Sequence, residues 1–170
     1  MIKDFVQAAK KTGAVVDVIE KSPQHLQSFL KKKTSDIKNI IFAKPVLMPL
    51  TLFGEFAELH DIISNPSLQQ LAGSPLGIGE AFAGVARTGS VCISLDSPLL
   101  GVEGLIPYEH LVLLDAKNIV SRPNDIFSLE HARLLNNGWV FVTGPSATAD
   151  MGELVKGAHG PAKLHIVILQ

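Results

Sequence analysis

Apolar and polar positions follow helical and strand periods along the first 60 residues. Apolar residues three or four positions apart predict an amphipathic helix from Ile2 to about Lys11, which Gly13 ends. The β-branched run 14–19 predicts a strand. Ser22-Pro23 predicts the start of a second helix, because serine caps a helix and proline fits its first turn. A second strand is expected at 39–43. A third helix is expected from Thr51, with one face formed by Phe53, Phe56, Ala57 and His60.

The rest of the chain alternates turn-rich segments with short apolar runs. Residues 64–79 contain many turn formers, and we expect a surface loop there with room for one short helix. The runs 81–86 and 90–95 flank Arg87-Thr88-Gly89 and resemble a β-hairpin. Further strands are expected at 111–114, 118–120, 139–143 and 164–169. Helices are expected from Ser121-Pro123 to about Leu135, and from about Asp150 to Lys156.

The order of these elements predicts an α/β fold. Strands that are apolar throughout are typical of a sheet covered by helices on both faces, and alternating strands and helices favour parallel pairing. The central hairpin makes the expected sheet mixed. The sequence shows no internal repeat and no linker, so we expect residues 1–170 to form a single domain.

Composition narrows the class of protein without giving its chemistry. A hydrophobic share of 46% and a charged share of 18% are typical of a folded globule. The net charge of −1 lacks the basic excess of nucleic-acid-binding proteins, and Lys31-Lys32-Lys33 suits the end of a helix. No stretch approaches the ~20 apolar residues of a membrane span, and the N-terminus lacks the apolar centre of a signal peptide. We therefore expect a cytoplasmic protein that contacts neither nucleic acid nor membrane.

The single cysteine, Cys92, limits the cofactors that the chain can hold. One thiol forms no disulfide within the chain and supplies no Cys₄ set for zinc or an iron–sulfur cluster. Its apolar neighbours Val91 and Ile93 favour a buried, unreactive side chain. The six histidines form no His-Glu-x-x-His or His-x-x-x-His pair, so we predict no metal site. His165 alternates with apolar residues and is expected to be half-exposed.

The loop 143–150 is the first candidate for a functional surface. Its small residues follow a strand and precede the expected helix, where unpaired amides and the hydroxyls of Ser146 and Thr148 suit a phosphate or carboxylate. The loop is not a P-loop, since no Lys-Ser/Thr pair ends it. Asp150, followed three residues later by Glu153, is also close to a helix capping box. The residues alone leave a ligand cradle and a structural turn equally open.

Two further segments carry candidate chemistry. If neighbouring strands carry the loops 143–150 and 157–161, His159 would face the first loop as an acid–base group or anion donor; a turn histidine without a role is the alternative. Gly77-Ile-Gly79 lacks the third glycine of a dinucleotide-binding loop, which argues against a Rossmann site. The next residue, Glu80, is a candidate carboxylate, with a surface role as the alternative. The chain also lacks the Gly-x-Ser-x-Gly turn of serine hydrolases.

Several of these strings resemble the LUD-domain family. The runs 140–150, 157–161 and 164–169 resemble its C-terminal signature, and Ala86-Arg-Thr-Gly-Ser-Val91 resembles its Ala-Glu-Thr-Gly-Thr element. The resemblance is strong from about residue 77 to 170. It implies a three-layer α/β fold with a mostly parallel mixed sheet, like that of ribose-5-phosphate isomerases and CoA transferases (NagB/RpiA/CoA transferase-like). It also implies a part in oxidising L-lactate to pyruvate beside separate iron–sulfur subunits, which would hold the clusters, with no cofactor in this chain.

Chemistry and resemblance together define the candidate residues. Those for catalysis are Glu80, Asp150 and His159. Those for ligand binding are Thr88, Gly89, Ser90, Gly144, Pro145, Ser146, Thr148, Asp150, His159 and Gly160. Arg87 stands where the family commonly has glutamate, so no role of that glutamate carries over to this chain.

Three functions are consistent with these observations. The first is an accessory or small-anion-binding subunit of an L-lactate oxidation system, a non-catalytic component of an oxidoreductase complex. The second is a stand-alone enzyme acting on a phosphorylated or CoA-like substrate. The third is a purely structural or regulatory interaction protein.

Overall fold

The computed structural model describes residues 1–59, 61–99, 101–150 and 152–170. Its α-helices are α1 (Ile2–Lys11), α2 (Pro23–Thr34), α3 (Leu68–Ala72) and α4 (Glu130–Leu134). Its strands are β1 (Val15–Ile19), β2 (Ile40–Phe42), β3 (Ile62–Ile63), β4 (Leu76–Ala81), β5 (Ala83–Val85), β6 (Ser90–Ser94), β7 (Glu109–Asp115), β8 (Ile119–Val120), β9 (Trp139–Val142), β10 (Ala147–Thr148), β11 (Val155–Lys156) and β12 (Lys163–Leu169). Short 3-10 helices span Leu50–Leu52, Gly54–Glu58, Val102–Gly104, Ala116–Asn118 and Pro123–Ser128.

A parallel sheet lies at the centre of the fold. Its strands follow the order β1-β12-β7-β4-β2-β3, and each neighbouring pair is parallel. The inner strands β12 and β7 pair over their full length, from Lys163 opposite Glu109 to Leu169 opposite Asp115. Both strands are apolar along most of their length, as expected for strands covered on two faces.

A second sheet follows the order β8-β5-β6-β9. β5 and β6 form the expected antiparallel hairpin, and β9 pairs with β6 at the edge. Only Phe82 separates β4 from β5, and a single 3-10 turn separates β7 from β8. The chain therefore passes directly from the parallel sheet into the second sheet at two neighbouring strands.

Apolar layers cover both faces of the parallel sheet. On one face, Leu76, Ile78 and Leu111 pack with α2 and with the 3-10 segment that carries Phe53 and Phe56. On the other face, α1 and the second sheet pack against a set of small and branched residues, among them Val16, Ala81, Val112, Leu164 and Ile166. This arrangement confirms the predicted three-layer α/β fold, with the hairpin in a separate sheet.

Two predicted helices are shorter than expected. The helix predicted from Thr51 is a pair of 3-10 helices, because Gly54 takes a left-handed φ of 53° and interrupts the helical run. His60, assigned to its apolar face, lies outside the described residues. The helix predicted after Ser121 is a 3-10 helix followed by α4, because Leu129 between them is extended.

Strand β4 begins inside a segment that was expected to be loop. Glycine disfavours strands by propensity, but Gly77 and Gly79 leave room here for Glu103 to lie against the strand. A Cβ at Gly77 would lie 1.7 Å from the carbonyl oxygen of Glu103, and one at Gly79 would lie 3.0 Å from its carboxylate oxygen Oε1. The glycines are therefore required by the close approach of the 102–104 turn to the sheet.

Candidate functional site

The two loops singled out by the sequence lie side by side where β12 begins. Ser146 joins them: its N–H donates to the carbonyl of Pro161 at 2.9 Å, and its carbonyl accepts from the N–H of Gly157 at 3.0 Å. The N–H of His159 donates to the Ser146 hydroxyl oxygen at 3.3 Å. Gly160 lies against the same serine, because a Cβ there would be 3.3 Å from Ser146 Cβ. Ser146, His159 and Gly160 therefore form one junction.

The helix predicted after the loop 143–150 was wrong, because the described part of this segment holds no helix. The described residues between 147 and 156 form an antiparallel arm, in which Ala147 pairs with Lys156 and Thr148 pairs with Val155. An isolated helix of seven residues is unstable in water unless a partner covers an apolar face, and Leu154 and Val155 are exposed here. The arm therefore lacks the ordered amides and the dipole on which the predicted anion cradle depended.

Asp150 lies near the tip of this arm and does not cap a helix. Its N–H donates to the hydroxyl of Thr148 at 3.4 Å, and its carboxylate is exposed. The chain reverses close by, where the N–H of Gly152 donates to the carbonyl of Ala149 at 2.9 Å. Asp150 and Thr148 are thus part of a turn that stands away from the sheet.

A chain of hydroxyl groups links the turn at 88–90 to the loop 143–150. Thr88 Oγ1 lies 2.7 Å from Ser90 Oγ, which lies 2.6 Å from Thr143 Oγ1 across β6 and β9. Ser90 is buried, whereas Thr88 and Thr143 are exposed. The neighbouring Arg87 is exposed, and its N–H donates to the Ser121 carbonyl at 3.1 Å. The hydroxyls offer donors and acceptors at the surface without an enclosing wall.

Two glycines in the segments that resemble the LUD-domain family allow helix α1 to pack closely against them. Gly89 and Gly144 have left-handed φ values of 70° and 71°. A Cβ at Gly89 would lie 2.2 Å from the Ala9 nitrogen, and one at Gly144 would lie 2.4 Å from the Thr12 oxygen. Pro145 packs beside Gly13 at the end of the same helix. These three candidate residues therefore position α1 against the second sheet, a structural role that the sequence alone did not separate from ligand binding.

Glu80 lies at the opposite end of β4 from the Ser146 junction. Gly160 lines a cleft with Pro75, the residue before β4, while Glu80 is five residues further on, about 16 Å along a strand. Its carboxylate accepts from the N–H groups of Val46, Leu47 at 2.8 Å and Met48 at 3.0 Å. Burial raises the pKa of Glu80, and these hydrogen bonds act against that shift. Glu80 holds the 46–48 segment in place.

An ionic network that the sequence did not reveal joins α2 to three strands. His165 Nε2 lies 2.8 Å from the Asp17 carboxylate, and its Nδ1 lies 3.6 Å from that of Glu109. Lys33 Nζ donates to the same Glu109 oxygen at 2.7 Å. His165 and Lys33 lower the pKa of Glu109 to about 2. His165 is 6% exposed, so its predicted half-exposure was wrong. No local pattern indicates this network, because its members are far apart in the chain.

Two buried side chains contain polar atoms that have no hydrogen-bond partner among the described residues. Neither ring nitrogen of His110 has one, and neither does Glu103 Oε2. Burial lowers the pKa of His110 to about 4 and raises that of Glu103. Cys92 is fully buried, as predicted, and burial raises its pKa to about 12. In the described residues, no three His, Cys, Asp or Glu side chains are grouped closely enough to hold a metal ion.

Comparison with known proteins identifies the family to which this fold and these loop sequences belong. The family model of the LUD domain matches residues 2–169, and the chain belongs to this family, which is associated with lactate utilization. A crystal structure of a DUF162 family protein from Deinococcus radiodurans has the same fold, with a TM-score of 0.72, 15% identity, and coverage of 99% of this chain and 96% of that one. No curated protein matches the chain significantly. Within the described ranges, no helix is long and apolar enough to cross a membrane.

Proposed function

We propose that this chain is an accessory, small-anion-binding subunit of a system that oxidises L-lactate to pyruvate together with separate iron–sulfur proteins. Family membership supports the link to lactate. The observation that carries the accessory role is the separation of the three acid–base candidates. Glu80 is held by backbone amides at one end of β4, whereas His159 and Asp150 are exposed beyond the other end. General acid–base chemistry requires such groups within hydrogen-bond reach of one substrate.

The electrons removed from lactate need a carrier, and this chain lacks the cysteines that would hold an iron–sulfur cluster. Oxidation to pyruvate releases two electrons and two protons, and iron–sulfur clusters are held mainly by cysteine thiolates. Cys92 is the single cysteine of the sequence, and it is fully buried in the second sheet. We therefore assign electron transfer to partner subunits.

The arm at 147–156 is our proposed contact with those subunits. Leu154 is 65% exposed and Val155 is 46% exposed, and Phe141 on the edge strand β9 is 51% exposed. Exposed apolar side chains of this size can be buried against another protein. Because β10 and β11 have two residues each, a partner would also stabilise the arm itself.

Reconstitution with the iron–sulfur subunits tests the proposed function. We expect L-lactate-dependent dye reduction to require this chain, and we expect Leu154→Asp to weaken its co-purification with the partners at least tenfold. Leu50→Asp is the matched control, because Leu50 is also an exposed leucine, 51% accessible, on a different face. Undiminished growth on L-lactate of a strain lacking the gene would contradict the proposal.

We propose the Ser146–His159 junction as the anion site. The hydroxyl oxygen of Ser146 accepts the His159 N–H, which leaves the hydroxyl proton free to donate to a carboxylate, and the His159 ring is exposed beside it. L-lactate and pyruvate should shift the ring resonances of His159 in NMR titrations, and Ser146→Ala should weaken this response severalfold. His25 provides the internal control, because it is another exposed histidine beside a serine, Ser22. Equal responses of the two rings would refute the assignment.

A further inference from the structure

A cavity of about 320 Å³ lies between the second sheet and the segment that contains the 102–104 turn. Its walls are apolar and come from Ile93, Leu95, Val102, Leu105, Val140 and Phe141. Leu105 and Phe141 are 56% and 51% exposed, so the cavity reaches solvent between these side chains. Its volume is at the lower end of the roughly 300–1,000 Å³ that is typical of small-molecule pockets.

His110 is the polar side chain in the wall of this cavity. The residue is 1% exposed and lies on β7, where it pairs with Gly77 on one side and Leu164 on the other. Neither ring nitrogen has a partner among the described residues. Leaving a buried donor and acceptor unpaired costs free energy, so a bound molecule that pairs with one of them gains more than it would from water.

Gly104 packs directly against the polar edge of this ring. A Cβ at this position would lie 2.2 Å from Cε1, 2.5 Å from Nδ1 and 2.7 Å from Nε2 of His110. A side chain here would therefore clash with the ring, and both Gly104 and His110 line the same cavity. The glycine and the histidine together place a hydrogen-bonding group in an otherwise apolar wall.

The surroundings favour an uncharged ligand. The lining residues carry no charged side chain, and the buried carboxylate of Glu103 lies against Gly79. An anion would lose its hydration here without gaining a cationic partner. The ring itself is neutral at neutral pH, because burial lowers the pKa of His110 to about 4. A neutral imidazole offers one donor and one acceptor.

We propose that this cavity binds a small, uncharged, mainly apolar molecule carrying one hydroxyl or carbonyl group, which hydrogen-bonds to His110. This site is separate from the proposed anion site at Ser146 and His159, and it stands whether or not the chain acts in lactate oxidation. The apolar walls hold the body of the molecule, and the imidazole selects for its polar group.

Titration of the ¹⁵N-labelled protein with cyclohexanol tests the proposal. We expect saturable shifts of the His110 ring nitrogens. Methylcyclohexane, which has a similar size but no hydroxyl, should bind about tenfold more weakly, as the loss of one hydrogen bond implies. His110→Leu should keep the cavity but bind the two molecules equally. L-lactate should leave His110 unchanged, so the outcome is independent of the anion site.

Variants at the mouth of the cavity locate the binding. Leu105→Trp should abolish cyclohexanol binding by filling the entrance, and Val140→Trp on the second-sheet wall is the alternative if the first variant does not fold. Leu50→Trp is the control, because Leu50 is similarly exposed and does not line the cavity. The proposal is overturned by a lack of saturable response in the native protein, by binding that survives both tryptophans, or by a stronger response to L-lactate.

Discussion

His110 and His165 lie at the same level of neighbouring strands, on opposite faces of one sheet. His110 is paired with Leu164, and His165 is paired with Leu111. His165 has a carboxylate near each ring nitrogen and an aromatic neighbour, Phe29, in edge contact at 5.8 Å. His110 has no hydrogen-bond partner in the described part of the chain.

The difference shows that burial alone does not determine what a histidine does. Both residues are under 10% exposed, yet one is part of an ionic network and the other is a neutral group in an apolar wall. Neighbouring polar groups decide between these outcomes, because a buried polar group without a partner loses free energy that a paired one keeps. The ring of His165 lies between the carboxylates of Asp17 and Glu109, whereas the ring of His110 has no hydrogen-bond partner among the described residues.

The largest expected effect is a loss of folding stability at acid pH that His110 causes. The folded pKa of His110 is about 4, below the unfolded value of 6.5. The unfolded state therefore takes up a proton first, and stability that is complete above pH 6.5 is lost as the pH falls towards 4. The full loss is about 3 kcal/mol. Urea unfolding at pH 7.5, 5.5 and 4.5 measures it.

Comparison with His110→Leu isolates this effect. Glu80 and Glu103 have raised pKa values and change the stability in the opposite direction with pH, but they are present in both proteins. The difference in the free energy of unfolding between the native protein and the variant should therefore increase as the pH falls. A gap that stays constant from pH 7.5 to 4.5 would show that His110 is not a neutral, unpaired group.

A second prediction compares the same substitution at the two positions. At pH 7.5, His165→Leu should lower the free energy of unfolding by about 2 kcal/mol, because it removes the 2.8 Å hydrogen bond to Asp17 and the polar neighbour of half-buried Glu109. His110→Leu is the matched control and should change it by less than about 1 kcal/mol, since an unpaired polar group is replaced by an apolar one. Equal losses in chemical denaturation would remove the distinction.

The smallest expected effect concerns the lysine that completes the network. Lys33→Met should cost about 1 kcal/mol, because the Lys33 side chain is only 25% exposed and donates to Glu109 at 2.7 Å. Lys32→Met, on the adjacent exposed residue of α2, should change the stability by less than about 0.5 kcal/mol. Thermal unfolding of the pair checks this, and an equal change in both variants would argue against an ion pair at Lys33.

Local patterns predicted the elements whose stability depends on nearby residues. The β-branched runs gave β1 and β12, and Ser22-Pro23 marked the start of α2, where the Ser22 hydroxyl accepts the His25 N–H at 3.3 Å. Strand β4 was not predicted, because its glycines disfavour a strand by propensity and are explained only by the close approach of Glu103, which is distant in the chain. The helix predicted from about residue 150 was wrong, because Leu154 and Val155 stay exposed among the described residues, which propensity alone does not reveal.

The candidate site was predictable only in part, for the same reason. The family-like strings indicated that the loops around Ser146 and His159 belong together, and the backbone joins them. The network around His165 was not predictable, because Asp17 lies 148 positions and Glu109 lies 56 positions away in the chain. The unpaired state of His110 was equally hidden, since it depends on which distant residues pack around the ring.

The arm between Ser146 and Gly157 also shows where this fold can be lengthened. Gly152 near its tip has no atom within 4 Å of the position that a side chain would take. At its base, the hydrogen bond from the Gly157 N–H to the Ser146 carbonyl closes the loop before the chain enters β12. A segment inserted at the tip would meet solvent and leave the strand order unchanged. The tip of the arm is therefore a place at which we expect inserted residues to be tolerated.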